Sequence, residues 1–155
     1  MKYYLAYGSN LNKEQMAIRC PDAKPVGKTM LGNHQLVFRR GVLTIEPCHG
    51  QSIPVGIWAI SDEDEKHLDR YEGFPRFYHK ETFPIVLTGW KDGKKAVEEK
   101  VGECMAYIMN DGFAIEPPSA AYCRTVGQGY KDFGFDAKPL MEAVIRSREE
   151  ATHRG

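Results

Sequence analysis

The first apolar stretch of the chain is short and aromatic, and it predicts a buried strand over Tyr3 to Tyr7. Gly8-Ser9-Asn10 follows, and these residue types favour turns; Gly8 can also take a positive φ and allow a close approach to the backbone. Asn12 is a suitable N-cap for a short helix that ends near Arg19. A strand, a turn and a helix start leave several backbone N–H groups unpaired, which favours binding of an anion or a polarised carbonyl oxygen. A plain tight turn explains the same residues equally well.

Alternating apolar positions predict several short strands between residues 23 and 60. The predicted strands are Ala23–Leu31, His34–Arg39, Val42–Ile45 and Ile53–Ile60, with a hairpin turn at Gly32-Asn33 and a strand end at Pro47. Arg39-Arg40 is a candidate binding site for a phosphate or carboxylate, although a pair of solvated charges at a strand end is the simpler interpretation.

A helix with clear start and stop signals follows these strands. Ser61 is a candidate N-cap with Asp64 three residues later, and Gly73 is a natural terminator. Leu68 and Glu72 are four residues apart and therefore share a face. Because Leu68 should point into the core, we expect Glu72 to point inward as well.

Glu72 is the strongest candidate for an acid–base residue. It lies at the helix C-terminus, where the helix dipole disfavours negative charge, and apolar neighbours surround it in the sequence: Tyr71, Phe74, Pro75 and Phe77. Both effects raise the pKa of a carboxyl group toward neutrality, where it can accept and return a proton. A solvated glutamate at a helix end is the alternative.

The second half of the chain alternates strands and helices. The predicted elements are a strand at Tyr78–Leu87, an exposed connection at Thr88–Lys100 with a turn at Asp92-Gly93, a strand at Val101–Met109, a helix from Ser119 that ends or bends at Gly127-Gln128-Gly129, and a last helix from Asp136 to about Arg148. Hairpin-connected strands with inserted helices indicate an α+β fold. We expect one domain over residues 1–148 and a frayed tail over 149–155.

Composition and charge narrow the function classes. The chain has 155 residues, with 21 Lys and Arg balanced by 21 Asp and Glu, so no basic surplus suggests nucleic-acid binding. No apolar run approaches the roughly 20 residues that a membrane helix needs. The N-terminal residues lack the pattern of a signal peptide. We therefore expect a soluble cytoplasmic protein with neither nucleic acid nor membrane as a partner.

The four cysteines argue against a metal site. Cys20, Cys48, Cys104 and Cys123 are widely spaced and form no Cys-x-x-Cys pair, so we expect no zinc site and reduced thiols. Cys48-His49 is a thiol and imidazole pair in sequence, but adjacent side chains rarely point together.

Three sequence blocks resemble the gamma-glutamylcyclotransferase-like family, which includes plant avirulence-induced proteins and gamma-glutamylamine cyclotransferases. The blocks are Tyr7-Gly8-Ser9-Asn10-Leu11, Leu68-Asp69-Arg70-Tyr71-Glu72-Gly73, and Pro118-Ser119-Ala120-Ala121-Tyr122 followed by Gly129-Tyr130 and Gly134. The resemblance extends from Lys2 to about Phe135. It implies a small closed β-barrel of mixed strands, with helices packed outside and a site at one mouth.

The resemblance also implies a reaction. The α-amine of a γ-glutamyl compound attacks its own γ-carbonyl, giving 5-oxoproline and a free amine or amino acid without metal or organic cofactor. Glu72 would be the general acid and base. The backbone of the loop from Tyr7 to Asn10 would stabilise the oxyanion. The implied substrate-binding residues are Tyr7, Gly8, Ser9, Asn10, Leu11, Tyr78 and Tyr122. Tyr78 is a weaker candidate than Tyr122, as is Tyr130, and a packed core or rim aromatic is the simpler interpretation of each.

Several alternatives stay open at this point. Arg70-Tyr71 before Glu72 and Gly73-Phe74-Pro75 after it resemble the bacterial and plant gamma-glutamylamine branch more than the animal glutathione branch, so the leaving amine is undetermined. Two hypotheses from other functional classes are a binding module without turnover and a cysteine hydrolase. The expected partner is a small γ-glutamyl substrate, and the protein is expected to be a monomer or homodimer.

Overall fold

The computed structural model describes residues 1–88 and 99–154, and this part of the chain contains five strands and four helices. In chain order they are β1 (Lys2–Ala6), a 3-10 turn (Ser9–Leu11), α1 (Lys13–Arg19), β2 (Lys24–Arg39), β3 (Val42–Ile60), α2 (Asp62–Glu72), β4 (Tyr78–Leu87), β5 (Glu99–Met109), α3 (Ala120–Phe133) and α4 (Lys138–Arg154). The turn predicted at Asp92-Gly93 lies outside the described residues.

The strands form one mixed sheet in the order β2-β3-β1-β5-β4. The central strand β1 runs parallel to β5, and the other neighbouring pairs are antiparallel. Because of these directions, the ends of β1 and β5, the start of β4 and the β2–β3 turn all lie at the same end of the sheet. The turn that follows β1 therefore emerges beside three other segments, which together can enclose a site.

The prediction of an α+β fold with a mixed barrel is confirmed, although the barrel is loose because its sheet is not closed. The two edge strands, β2 and β4, are not joined by a ladder among the described residues. Their edges meet just after β4, where the Thr88 N–H donates to the Lys28 carbonyl at 3.1 Å and the hydroxyl groups of Thr88 and Thr29 are 3.2 Å apart. The sheet is thus strongly curled, with its edges touching at one point.

Two long strands replace the four short ones predicted before residue 60. β2 continues through Gly32-Asn33 and stays paired to β3, with a register shift between Gly32 and His34 and a φ of +57° at Asn33. Pro47 does not end its strand but pairs with His34 inside the ladder. The glycine and asparagine that suggested a hairpin accommodate a bulge instead, which bends the paired strands without ending them. The hairpin turn itself is at Arg40-Gly41.

The helix that carries Glu72 has the predicted boundaries and caps. The Ser61 hydroxyl accepts from the Asp64 N–H, and the Asp64 carboxylate accepts from the Ser61 N–H, which completes a capping box. Gly73 ends the helix in the left-handed conformation with a φ of +68°. Leu68 is fully buried, so the inward face on which Glu72 was expected is present.

The two C-terminal helices are longer than predicted. α3 passes through Gly127 and Gly129 without a break and ends at Phe133, where Gly134 takes the left-handed conformation. α4 continues to Arg154, so the residues expected to fray from 149 onward are helical up to that point. No helix in the described part of the chain is both long and apolar enough to cross a bilayer.

Gly129 lies where α3 packs closely against another segment, and a larger side chain would not fit there. A Cβ at this position would lie 2.7 Å from the backbone nitrogen of Asn12 and from the carbonyl carbon and Cβ of Leu11. α3 can therefore pack directly against the segment between the 3-10 turn and α1. By contrast, a Cβ at Gly127 would have no neighbour within 4 Å.

These two glycines provide a matched test of the packing. We expect Gly129→Ala to lower the free energy of unfolding by about 1–3 kcal/mol, since the backbone it meets cannot rotate away. Gly127→Ala should raise it by about 0.5–1 kcal/mol, because alanine has the better helix propensity and meets nothing. Urea unfolding of both variants checks this, and equal effects of the two substitutions would contradict the close contact.

Candidate active site

A cavity of about 400 Å³ opens at the end of the sheet where β1 and β5 end. Much of its wall is tyrosine, contributed by the sheet, by α2 and by α3. The lining residues are Tyr4, Tyr7, Gly8, Ser9, Asn10, Arg40, Val42, Leu43, Arg70, Tyr71, Glu72, Gly73, Phe77, Tyr78, Tyr107 and Tyr122. The cavity therefore offers one carboxyl group, several hydroxyl groups and two guanidinium groups to a small ligand.

The turn after β1 forms one wall of the cavity. Its carbonyl groups are used: Gly8 accepts from the Leu11 N–H at 3.0 Å, and Ser9 accepts from the Asn12 N–H at 3.1 Å. No acceptor for the N–H groups of Ser9 and Asn10 lies among the described residues. These two donors are therefore available to a ligand, as the unpaired groups at a helix start often are.

Gly8 does not have the positive φ that the sequence suggested; its φ is −132°. A Cβ at Gly8 would lie 3.4 Å from the Tyr122 hydroxyl oxygen and 3.5 Å from the Leu43 side chain. The glycine therefore allows a close approach of Tyr122 to the turn and keeps the cavity open there.

The buried Asn10 amide connects the turn to Glu72. Its nitrogen donates to Glu72 Oε1 at 3.1 Å and to the Tyr4 hydroxyl oxygen at 2.8 Å, while its oxygen accepts from the Arg19 guanidinium. Because Arg19 can only donate, it fixes the amide with the oxygen toward α1 and the nitrogen toward Glu72. Glu72 Oε2 has no hydrogen-bond donor among the described residues, so this oxygen is available to a ligand.

Glu72 has the electrostatic character of a proton-transfer group. Burial against the cavity wall raises its pKa to about 7, while the positive charge of Arg19 and the Asn10 hydrogen bond act in the opposite direction. A raised pKa is also the direction expected from the helix end and the apolar neighbours of Glu72 in the sequence. Of those neighbours, Tyr71 and Phe77 line the cavity, but Phe74 and Pro75 do not.

Arg19 holds its position through a stack and a second hydrogen bond. Its guanidinium carbon is 3.5 Å from the centre of the Tyr71 ring, and it also donates to Gln15 Oε1 at 3.1 Å. The Tyr71 hydroxyl is 3.0 Å from the Ser9 Oγ, which makes a further link between α2 and the turn. Side chains of α1, of the turn after β1 and of the end of α2 thus form one polar network around Glu72.

Two tyrosine hydroxyls of the cavity wall bind to the backbone of one residue of β3. Tyr78 donates to the Leu43 carbonyl at 2.9 Å, and the Leu43 N–H donates to the Tyr122 oxygen at 3.1 Å. Burial raises the pKa of both tyrosines, so both hydroxyls keep their protons near neutral pH. The Tyr78 proton is already donated, whereas the Tyr122 proton can be donated to a ligand.

The cavity brings together Glu72 and six of the seven predicted binding residues. Those six are Tyr7, Gly8, Ser9, Asn10, Tyr78 and Tyr122. Leu11 is the exception: it is fully buried and packs beneath Gly56 and Gly129, so it supports the turn from behind and does not reach the cavity. Tyr130 is likewise a core residue.

Sequence reasoning did not identify Tyr4, Tyr107 or Arg19 as part of the site. Tyr4 and Tyr107 lie on adjacent parallel strands with their rings edge to face, and only the pairing of β1 with β5 brings them together. Arg19 gave no signal beyond its place in the last turn of a short helix. Arg40, a candidate carboxylate-binding residue from the sequence, lines the cavity.

The cysteines lie away from this chemistry. Burial raises the pKa of Cys20 to about 12 and that of Cys104 to about 11, so neither thiol is activated as a nucleophile. Cys48 and His49 are consecutive residues of β3, where side chains alternate between faces, and neither lines the cavity.

Comparisons with known proteins identify the family of the chain. A family model described as "Gamma-glutamyl cyclotransferase, AIG2-like" matches residues 4–127. A gamma-glutamylcyclotransferase from Bos taurus is 25% identical over 164 residues, covering 98% of this chain and 81% of the relative. The Homo sapiens protein of the same name is 27% identical over 143 residues, covering 84% and 71%.

Solved structures show the same fold. One described as a gamma-glutamyl cyclotransferase superposes with a TM-score of 0.76 at 21% identity, over 92% of this chain and 85% of that one. An aig2-like protein from Mus musculus gives a TM-score of 0.57 at 16% identity, over 79% and 82%. Since the family model covers well over half of the sequence, the chain belongs to the gamma-glutamyl cyclotransferase, AIG2-like family.

Proposed function

We propose that the protein is a cyclotransferase that converts a γ-glutamyl compound into 5-oxoproline and a free amine or amino acid. The observation that carries the proposal is Glu72, a carboxyl group with a pKa of about 7 that lines a tyrosine-walled cavity beside unpaired backbone donors. The names of the relatives support the reaction class, and the cavity supplies groups suited to each step.

The reaction is an intramolecular aminolysis. The α-amine nitrogen forms a bond to the γ-carbonyl carbon, and the bond from that carbon to the leaving nitrogen breaks. The two protons that the α-ammonium nitrogen loses on becoming the lactam N–H are transferred to the leaving nitrogen, so neither water nor an electron acceptor is consumed. The protein must bend the substrate into a ring-like conformation, which removes much of the entropic part of the barrier.

We assign this proton transfer to Glu72. With its pKa near neutrality, the carboxylate accepts a proton from the α-ammonium group and returns it to the leaving nitrogen. It then accepts the second proton, which the ring nitrogen loses as the lactam forms, and passes it to the released amine, which leaves as an ammonium ion. Asn10 engages Oε1, so Oε2 carries the proton during the transfer. A single carboxyl group thus serves as base and then as acid.

The turn supplies stabilisation for the oxyanion. When the amine attacks, the γ-carbonyl oxygen becomes negative, and the N–H groups of Ser9 and Asn10 are free to donate to it. Tyr122 offers a further hydroxyl donor close to Gly8. These donors are held in place by the fold before substrate binds, so little reorganisation is needed.

A binding module without turnover is the alternative from another class. Such a module would need a cavity of the right shape, but it would gain nothing from a carboxyl group with a near-neutral pKa. A cysteine hydrolase is disfavoured because no cysteine lines the cavity. The direct experiment is to incubate the protein with a panel of γ-glutamyl amines and γ-glutamyl amino acids and measure 5-oxoproline.

Glu72→Gln is expected to lower kcat by at least about 10²–10⁴-fold, since the amide has the same shape but cannot transfer a proton. The measurement is steady-state formation of 5-oxoproline, with substrate affinity of the variant measured by calorimetry. Retention of most of the wild-type kcat would exclude Glu72 as the acid and base.

The same variant has a control that reports on the fold. The folded-state pKa of Glu72 is raised above its usual value of 4.5 to about 7, so its contribution to stability is present below about pH 4.5 and is lost as pH rises to about 7. Glu72→Gln removes this dependence, and the variant should be at least as stable as the wild type above pH 7. Thermal melting across this pH range checks that lost activity is not lost structure.

Arg19 is expected to set the acidic limb of the pH profile. Its charge lowers the pKa of Glu72, so Arg19→Gln should move the midpoint of kcat/KM against pH upward, because the active carboxylate then forms at higher pH. Arg19→Lys keeps the positive charge and should give a smaller shift. An unchanged midpoint in both variants would show that Arg19 does not act on Glu72.

Tyr122→Phe and Tyr78→Phe distinguish a substrate donor from a structural hydroxyl. Each removes one hydrogen bond to the backbone of Leu43, so similar losses of stability are expected. Only Tyr122 has a proton free for the substrate, so Tyr122→Phe should cost about 3- to 10-fold more in kcat/KM than Tyr78→Phe. Equal losses of kcat/KM would remove Tyr122 as a specific donor.

A further inference from the structure

A second cavity lies beside the edge strand β2. It has a volume of about 540 Å³, and residues of β2, β3, α4 and the segment before α3 line it. None of these residues also lines the cavity that contains Glu72. The second cavity is large enough for a small ligand, and the proposed reaction makes no use of it.

The wall formed by β2 has backbone N–H groups without partners. In an antiparallel strand the N–H and C=O of one residue point to the same side. The carbonyls of Leu36 and Phe38 point away from β3, where they accept from Arg146 at 2.9 Å and from the Glu116 N–H at 3.2 Å. The N–H groups of Leu36 and Phe38 therefore face the same edge, and neither has an acceptor among the described residues.

This edge of β2 suits a ligand that accepts hydrogen bonds better than it suits an added peptide strand. A strand needs donors and acceptors in alternation, but the two carbonyls of the edge are already bound to other groups. A carboxylate only accepts hydrogen bonds, so it matches an edge on which only donors are unpaired. The backbone thus favours a carboxylate in the second cavity.

Arg146 of α4 adds a positive charge at this edge. Its guanidinium donates to the Leu36 carbonyl, which lies between the Leu36 and Phe38 N–H groups along the strand. Within the described ranges Arg146 has no carboxylate partner, whereas Arg39 in the same cavity pairs with Glu46 at 2.6 Å. A carboxylate can therefore accept from Arg146 and from a backbone N–H together, which is a charge-assisted arrangement.

Two acids of α4, Glu149 and Glu150, also line the cavity. In the part of the chain that the structure describes, neither forms an ion pair. They follow Arg146 by three and four residues, so they are its neighbours on the helix surface. This short separation of opposite charges matches that of the carboxylate and ammonium groups of an α-amino acid. Ile115 and Ala143 supply apolar surface beside these charges.

We propose that the second cavity binds a free amino acid with an apolar side chain. Arg146 and the edge of β2 bind its carboxylate, Glu149 and Glu150 bind its ammonium group, and its side chain packs against the apolar surface. The two cavities share no lining residue, so this binding does not depend on the proposed reaction.

The test uses L-leucine and two analogues, each of which lacks one charged group. Isoamylamine lacks the carboxylate, and isocaproate lacks the ammonium group. Amide NMR spectra of the full chain report directly on the edge of β2, and we expect leucine to shift the Leu36 or Phe38 resonance in a saturable way. Isoamylamine should bind at least about 10-fold more weakly than leucine, and isocaproate about 2- to 5-fold more weakly, because the two acids are exposed.

Arg146→Gln and Arg148→Gln form a matched pair of variants. Glutamine at 146 can still donate to the Leu36 carbonyl but carries no charge, so Arg146→Gln should weaken leucine binding by about 10-fold. Arg148 lies on the same helix but does not line the cavity, so Arg148→Gln should leave binding unchanged. Thermal melting checks that both variants are folded.

Several outcomes would overturn the proposal. They are the lack of a saturable shift of either amide with leucine up to about 50 mM, binding of an analogue as tight as that of leucine, and equal weakening by the two variants. Shifts confined to the Ser9 and Asn10 amides would place leucine in the cavity that contains Glu72 and would also overturn it. The assay of 5-oxoproline tests the proposed cyclotransferase function separately.

Discussion

The site depends on one buried amide, that of Asn10. It hydrogen-bonds to β1, α1 and the end of α2 at once, through Tyr4, Arg19 and Glu72. A buried amide is costly unless its donors and acceptor are paired, and here both ends are. These three hydrogen bonds orient the Asn10 amide so that it occupies Oε1 of Glu72 and leaves Oε2 available to a ligand. The same amide therefore connects three elements of the fold and positions the acid–base group.

Much of this arrangement was predictable from local sequence. The capping box at Ser61, the terminator at Gly73 and the inward position of Glu72 depend on residues within one helix, and the structure has all of them. The turn after β1 was likewise expected from three consecutive turn-forming residues. Local signals of this kind identify which residues are present in the site and where their elements begin and end.

What the sequence could not supply depends on pairing between distant segments. Gly32-Asn33 has the composition of a hairpin, but the ladder with β3 turns it into a bulge. Gly129 looks like a helix breaker, yet it is the contact that allows α3 to pack on the turn. Tyr4 and Tyr107 meet only because β1 and β5 are parallel neighbours. In each case tertiary contact overrides a correct local preference.

The pair of hydrogen bonds at Leu43 has a consequence for how this wall of the cavity can vary. Tyr78 and Tyr122 bind its carbonyl and N–H, and the leucine side chain takes no part. Any residue other than proline offers the same two atoms, so substitutions at 43 that keep the core packed preserve both bonds. A one-residue slip of β3 would instead present a differently oriented peptide and release both tyrosines together. The structure of this wall therefore depends on the register of β3 and not on the identity of the side chain at position 43.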